Sequence, residues 1–183
     1  LCWESFLKLV CAQKYNYIFN PKHVRRFVND RFQQANNVEV LLLVGGEYNL
    51  DRTEYETVMN NLYNVLTKYY DPIKIGIKNH PNHPMVKFEW QDKCVIFDSK
   101  IPANLLCYTS KIIIAYESSV LYEAADIGIR AISTAYIIPS TLDGQSDNTV
   151  QYLLDNSKSK KISFPQDIDE FDGLLTTQAK DSV

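Results

Sequence analysis

Apolar and polar positions along this chain follow a regular order that begins near residue 38. Residues 38–44 form an almost continuous apolar run, which is typical of a strand buried on both faces. Between residues 55 and 69, apolar side chains recur every three or four positions, as they do on one face of a helix. Shorter segments repeat this alternation toward the end of the chain. The pattern predicts further strands at 73–78, 95–98, 111–116, 130–135 and 162–164, and further helices at 101–108, 120–127, 147–156 and 167–175.

Strands that alternate with helices in this way favour right-handed βαβ units. The fold class that we predict is therefore α/β: a Rossmann-like open parallel sheet of about six strands with helices on both faces. Residues 1–37 lack the alternation, and within them 23–35 has helical spacing, so we interpret this segment as an irregular, partly helical connection between domains. The domain itself is expected to span 38–183. Gly128 suits the position just after a helix end, where glycine is common.

Composition is that of a globular domain and narrows the range of partners. The 183 residues are 45% hydrophobic and 22% charged. A net charge of −3 offers no general attraction for nucleic acid or anionic lipid, and no apolar run is long enough to span a bilayer. The four cysteines lie far apart among apolar residues and lack metal-ligand spacing. We therefore expect reduced thiols and a cytoplasmic protein, either free or peripheral to the inner membrane.

Residues suited to chemistry follow directly after three of the predicted strands. They are the Gly45-Gly46 pair, the stretch 78–84 with two His-Pro dipeptides, and the Ser118-Ser119 pair at the start of a helix. Because ligands of open parallel sheets bind beyond the carboxyl ends of the strands, we expect these three loops to share one edge. The glycines would let the backbone approach a ligand, or they form a plain tight turn.

Two of these loops carry groups that suit an anion. Ser118 and Ser119 precede a helix, where hydroxyls and unpaired backbone amides bind phosphate, or where one serine simply caps the helix. His80, followed by Pro81, can donate a proton near neutral pH, or it has a structural role. A metal site formed by His80 and His83 is the weaker alternative, because no cysteine has the right spacing to join them. We expect no metal and no cofactor.

Three short motifs, in order along the chain, resemble those of bacterial sialyltransferases, with lipooligosaccharide sialyltransferases and polysialyltransferases as the most similar members. Lys78-x-His80-Pro81 resembles their HP motif. Residues 101–106 resemble their IP-x-E-LL segment, and the Ser118-Ser119 pair with Val-Leu-x-Glu-Ala-Ala behind it resembles their serine-pair motif. The resemblance covers residues 38–136, about half of the chain.

This resemblance implies the C-terminal domain of a two-domain GT-B enzyme, which binds CMP-sialic acid and transfers the sugar to a surface glycan with inversion and without a metal. It implies that His80 interacts with the donor phosphate and acts as general acid or electrostatic stabiliser. The same phosphate would contact the serine pair. Asn104 stands where the family has a nucleoside-binding Glu. The predicted nucleotide- and phosphate-binding set is Ser118, Ser119, Gly46, Asn104 and Pro81.

Two other functions remain open on the sequence. Glycerophosphotransferases of the teichoic-acid type, which use CDP-glycerol, also resemble this layout. A module that binds a nucleotide or a partner without turnover is the non-enzymatic alternative. No general base is assigned, because the family's base lies on an N-terminal domain that no segment here resembles. Since the chain also starts at Leu1 rather than Met, we expect such a domain to precede it. Acceptor, linkage and oligomeric state, a homodimer included, stay open.

Overall fold

A computed structural model of the chain describes residues 21–45, 52–80, 87–116, 118–138 and 162–181. In these ranges the strands are β1 (Val40–Val44), β2 (Ile75–Asn79), β3 (Val95–Phe97), β4 (Ile112–Ala115), β5 (Arg130–Ser133) and β6 (Ile162–Ser163). The α-helices are α1 (Pro21–Arg31), α2 (Arg52–Leu66), α3 (Ala103–Cys107), α4 (Val120–Asp126) and α5 (Ile168–Asp181). Short 3-10 helices occupy Gln33–Asn37, Pro72–Lys74 and Gln91–Lys93.

The six described strands are all parallel and form one sheet in the order β3-β2-β1-β4-β5-β6. This is the strand order of Rossmann folds, in which the chain starts in the middle of the sheet, fills one half and then fills the other. The register is continuous across the centre, where Leu42 lies opposite Ile77 of β2 and Ile114 of β4. The predicted fold class is confirmed.

Successive side chains of the central strands point to opposite faces of the sheet and build two cores. Leu42 of β1 packs on one face with residues of α2 and α5. Its neighbour Leu41 packs on the other face with residues of α1, α3 and α4. Both side chains are almost completely buried, which explains why the strand sequences lack a polar face. Helices therefore cover both faces, as the pattern predicted.

The predicted elements that fall in the described ranges all occur, with small differences at their ends. The helix predicted at 167–175 continues to Asp181. The helical spacing at 23–35 divides into α1 and a separate 3-10 helix, because Phe32 between them leaves the helical backbone region with φ −124° and ψ 75°. The helix predicted at 147–156 lies outside the described residues. Within the described ranges, no helix has the length and apolar character needed to cross a membrane.

The described part of the N-terminal segment, residues 21–37, is in contact with the sheet domain. Val28 of α1 and Ala35 are fully buried in the core that also holds α3 and α4. Helix α1 packs against α3. The boundary at residue 38 and the role of this segment as an interdomain connection stay predictions.

Cys94 and Cys107 are free thiols, the first partly buried and the second completely buried. Burial raises the pKa of Cys94 to about 11 and the pKa of Cys107 to about 12. Both side chains are therefore protonated near neutral pH, which makes them weak nucleophiles. The other two cysteines, Cys2 and Cys11, lie outside the described residues.

Candidate functional site

A cavity of about 480 Å³ lies beyond the carboxyl ends of β1, β2 and β4. Its walls are the last residues of these strands, the loop from Ser99 to Pro102, the first residue of α3 (Ala103), and the start of α4 at Val120. β1 and β4 are neighbours in the sheet, although β2 and β3 separate them along the chain. Such a reversal of strand order creates a crevice at the carboxyl edge, where ligands of open α/β sheets bind. The volume suits a small molecule.

Gly45 and His80 are in close contact at this edge. Gly45 has a φ of 150°, which residues with a Cβ rarely adopt. A Cβ at this position would lie 2.5 Å from the Cβ of His80, well inside contact distance. The backbone N–H of His80 donates to the carbonyl oxygen of Val44 at 2.8 Å, which extends the pairing of β1 and β2 by one residue. Glycine at position 45 therefore allows His80 to lie directly against the end of β1.

His80 lines the cavity, and its side chain is exposed. An exposed imidazole at a cavity wall is placed where it can exchange a proton with a ligand. The glycine predicted for the site was Gly46, which lies outside the described residues together with Pro81 and His83. The contributions of Gly46 and Pro81 stay predictions. Among the described residues, no group of three or more His, Cys, Asp or Glu side chains is arranged to hold a metal ion.

The serine pair is divided between the cavity and the solvent. Ser118 is half-buried and lines the cavity, whereas Ser119 is exposed and is not part of the cavity wall. The Oγ of Ser118 accepts the N–H of Val120 at 3.2 Å, while the side chain of Ser119 makes no capping bond. The hydroxyl of Ser118 can accept this bond and still donate its own proton to a ligand. The binding roles predicted for both serines stay predictions.

Asn104 lies beside the cavity and is not one of the residues that line it. Pro102 falls within the helix predicted at 101–108 but is instead the N-cap residue of α3, with extended backbone angles. Pro102 and Ala103 line the cavity. The Oδ1 atom of Asn104 is buried and has no hydrogen-bond partner among the described residues. The structure therefore does not bring Asn104 together with His80 and Ser118, and its predicted contact with the nucleoside stays a prediction.

Lys78 lines the cavity, although from the sequence it was expected only as part of the Lys78-x-His80-Pro81 motif. Its side chain is 3% exposed, and its Nζ donates to the carbonyl oxygen of Asn79 at 2.7 Å and to that of Ser99 at 2.8 Å. Burial lowers the pKa of Lys78, while the charge of Asp98 acts in the opposite direction. The sequence signal that could have identified Lys78 is the presence of a lysine inside a predicted buried strand, since lysine is almost never fully buried.

No family model matches this chain, and no curated protein is significantly similar to it. The solved structures that are similar to it at low identity include the following two. Spinosyn rhamnosyltransferase SpnG complexed with thymidine diphosphate has 15% identity and a TM-score of 0.46, over 77% of this chain and 36% of that chain. Wall teichoic acid polymerase TagF, soaked with CDPG, has 13% identity and a TM-score of 0.42, over 89% of this chain and 49% of that chain. The matches cover less than half the length of either protein.

Proposed function

We propose that this chain binds the nucleotide-sugar donor of an inverting, sialyltransferase-like glycosyltransferase, with CMP-sialic acid as the donor and a surface glycan as the acceptor. The main support is that Gly45, His80 and Ser118, from three separate loops, line one cavity at the carboxyl edge of the sheet. His80 and Ser118 are also the residues that carry the resemblance to the HP and serine-pair motifs.

The proposed chemistry follows from where charge develops in the reaction. When the bond between the sugar and CMP breaks, negative charge appears on a phosphate oxygen of the leaving nucleotide. A protonated imidazole at His80 would stabilise that charge or transfer its proton, and the hydroxyl of Ser118 would donate a hydrogen bond to the same phosphate. The proposed reaction uses no metal. No residue of the described ranges is assigned as the base that activates the acceptor.

Isothermal titration calorimetry with CMP tests the binding step. We expect wild type to bind CMP, and we expect His80→Ala and Ser118→Ala each to weaken binding by roughly ten-fold or more, because each removes a hydrogen bond to a charged group. Thr57→Ala is the matched control, since it removes an exposed hydroxyl of α2 that bonds within its own helix. Absence of CMP binding, or binding that neither cavity substitution changes, would contradict the proposal.

A donor panel separates the proposed enzyme from the two alternatives. CMP-sialic acid, CDP-glycerol and UDP-sugars are each incubated with the protein, and hydrolysis or transfer is followed by chromatography. Preference for CMP-sialic acid is expected. Preference for CDP-glycerol would favour a glycerophosphotransferase. Hydrolysis or transfer of any donor by this chain would exclude the binding module.

A further inference from the structure

Lys78 places a positive charge inside the protein, at the wall of the cavity. Its side chain is 3% exposed. None of the ion pairs within the described ranges includes it. Asp98, the carboxylate whose charge acts on it, is exposed, and its Oδ1 accepts the backbone N–H of Lys100 at 2.8 Å. A buried ammonium without a carboxylate partner is costly, unless another group compensates the charge.

Two backbone carbonyls hold this ammonium in place. The Nζ atom lies 2.7 Å from the carbonyl oxygen of Asn79 and 2.8 Å from that of Ser99. Both residues line the cavity, as Lys78 does. The bridge therefore fixes the end of β2 to the loop after β3. An ammonium has three N–H donors, so these two bonds leave one donor for a ligand.

The same bridge also orients the backbone at His80. The carbonyl of Asn79 accepts from Lys78, and the N–H on the other side of that peptide bond donates from His80 to Val44 at 2.8 Å. Both polar groups of the peptide are thus occupied. These two hydrogen bonds consequently hold the backbone between Lys78 and His80 in place, so that both residues lie at the same wall of the cavity.

Three side chains that can carry a positive charge line the described cavity, namely Lys78, Lys100 and His80. Lys100 and His80 are exposed, so water and salt screen their charges. Lys78 is the buried member of the set, and a charge acts most strongly on a ligand where the surroundings have a low dielectric constant. An anionic ligand in the cavity would supply the opposite charge that Lys78 lacks.

We propose that Lys78 is the cation that binds an anionic group of the ligand in this cavity. For the function proposed above, on which this inference rests, that group is the phosphate of the nucleotide donor. The carbonyl bridge sets the position of the ammonium, and its third N–H donates to a phosphate oxygen.

The test compares CMP with cytidine, which lacks the phosphate, by calorimetry on the full chain. Lys78→Gln keeps two N–H donors for the two carbonyls and removes the charge. We expect the ratio of CMP affinity to cytidine affinity to fall roughly ten-fold or more, with cytidine affinity unchanged. Lys100→Gln is the matched control, and its ratio is expected to change by less than about three-fold, because its charge is exposed.

Two results would overturn the inference and leave the proposed function intact. In one, wild type binds CMP, but the ratio for Lys78→Gln equals that for wild type. In the other, CMP and cytidine affinities fall in parallel, which would give Lys78 only a structural role. Absence of CMP binding to wild type would instead contradict the proposed function itself, and the inference with it.

A second variant decides the question if Lys78→Gln does not fold. In the triple variant His80→Ala, Lys100→Gln and Ser118→Ala, Lys78 is the remaining cation of the described cavity wall, and the hydroxyl of Ser118 is also removed. A ratio of CMP to cytidine affinity that stays above about three-fold supports the inference, since an exposed charge elsewhere on the surface contributes less than this. A ratio near one in this triple variant overturns it.

Discussion

Gly45 determines the position of His80. Its φ of 150° and the 2.5 Å separation between a Cβ built at residue 45 and the Cβ of His80 leave no room for a side chain at this position. The two residues are joined through β1 and β2, since His80 donates to Val44, the residue before Gly45. A substitution at Gly45 therefore acts on the candidate site even though glycine has no side chain to contact a ligand.

Gly45→Ala is expected to move His80 away from the end of β1. The expected results are a CMP affinity at least roughly ten-fold lower, together with a free energy of unfolding lower by ~1–3 kcal/mol because of backbone strain. Calorimetry and urea denaturation measure the two effects. If Gly45→Ala bound CMP as wild type does, the proposed dependence of the site on this contact would be wrong.

At the scale of one element, Gly128 ends helix α4 and directs the chain into β5. Gly128 has a φ of 80°. Its N–H donates to the carbonyl of Ala125 at 3.1 Å, and the N–H of Ile129 donates to the carbonyl of Ala124 at 2.8 Å. This pair of bonds is a Schellman motif, which ends a helix and reverses the chain. The turn leads directly into β5, so that β5 can pair with β4.

Alanine substitutions at two glycines are expected to have opposite effects on stability. Gly128→Ala places a Cβ on a left-handed backbone and is expected to lower the free energy of unfolding by ~1–2 kcal/mol. Gly173→Ala lies within α5, where a Cβ would meet nothing within 4 Å. It is expected to raise that free energy by ~0.5–1 kcal/mol, because alanine favours helix. Urea denaturation of both variants measures the difference, and effects of the same sign would contradict it.

At the scale of the whole molecule, the candidate site and the ion pairs of Glu39 lie at opposite ends of the central strands. Glu39, just before β1, accepts from the Nζ of Lys74 and from the Nζ of Lys111, both at 2.7 Å. Lys74 precedes β2 and Lys111 precedes β4. These ion pairs join the amino ends of the three central strands, whereas the cavity lies at their carboxyl ends.

Glu39→Gln is expected to lower stability in a pH-dependent way without changing CMP affinity. The hydrogen bond from Lys111, followed by that from Lys74, lowers the pKa of Glu39 in the folded protein. A lowered carboxyl pKa stabilises the fold above the ordinary pKa of about 4.3, and this contribution is lost as the pH falls through the folded-state pKa. At pH 7 we expect Glu39→Gln to be ~1 kcal/mol less stable than wild type.

Thermal denaturation of wild type and Glu39→Gln between pH 3 and pH 7 measures the effect, with the two proteins compared at each pH. The difference between them should be largest at neutral pH and smallest at the acid end. A difference that stays constant or grows toward acid pH would show that the ion pairs of Glu39 do not have the expected effect.

The sequence alone determined the order of the elements and the fold class, because both depend on local periodicity. A strand buried on both faces is an almost continuous apolar run, and a glycine such as Gly128 is common just after a helix end. That Gly45, His80 and Ser118 lie at one edge of the sheet could also be predicted from the sequence, since the carboxyl ends of parallel strands meet at one edge.

Which side chains of those loops line the cavity depends on tertiary packing and cannot be inferred from the sequence pattern. Ser118 and Ser119 are equivalent in sequence pattern, yet packing of α4 places only Ser118 in the cavity wall. The hydrogen bond from Lys78 to the carbonyl oxygen of Ser99, in the loop after β3, forms because β2 pairs with β3. Such contacts join residues that are distant along the chain, and their geometry follows from how the strands and helices pack rather than from any local repeat.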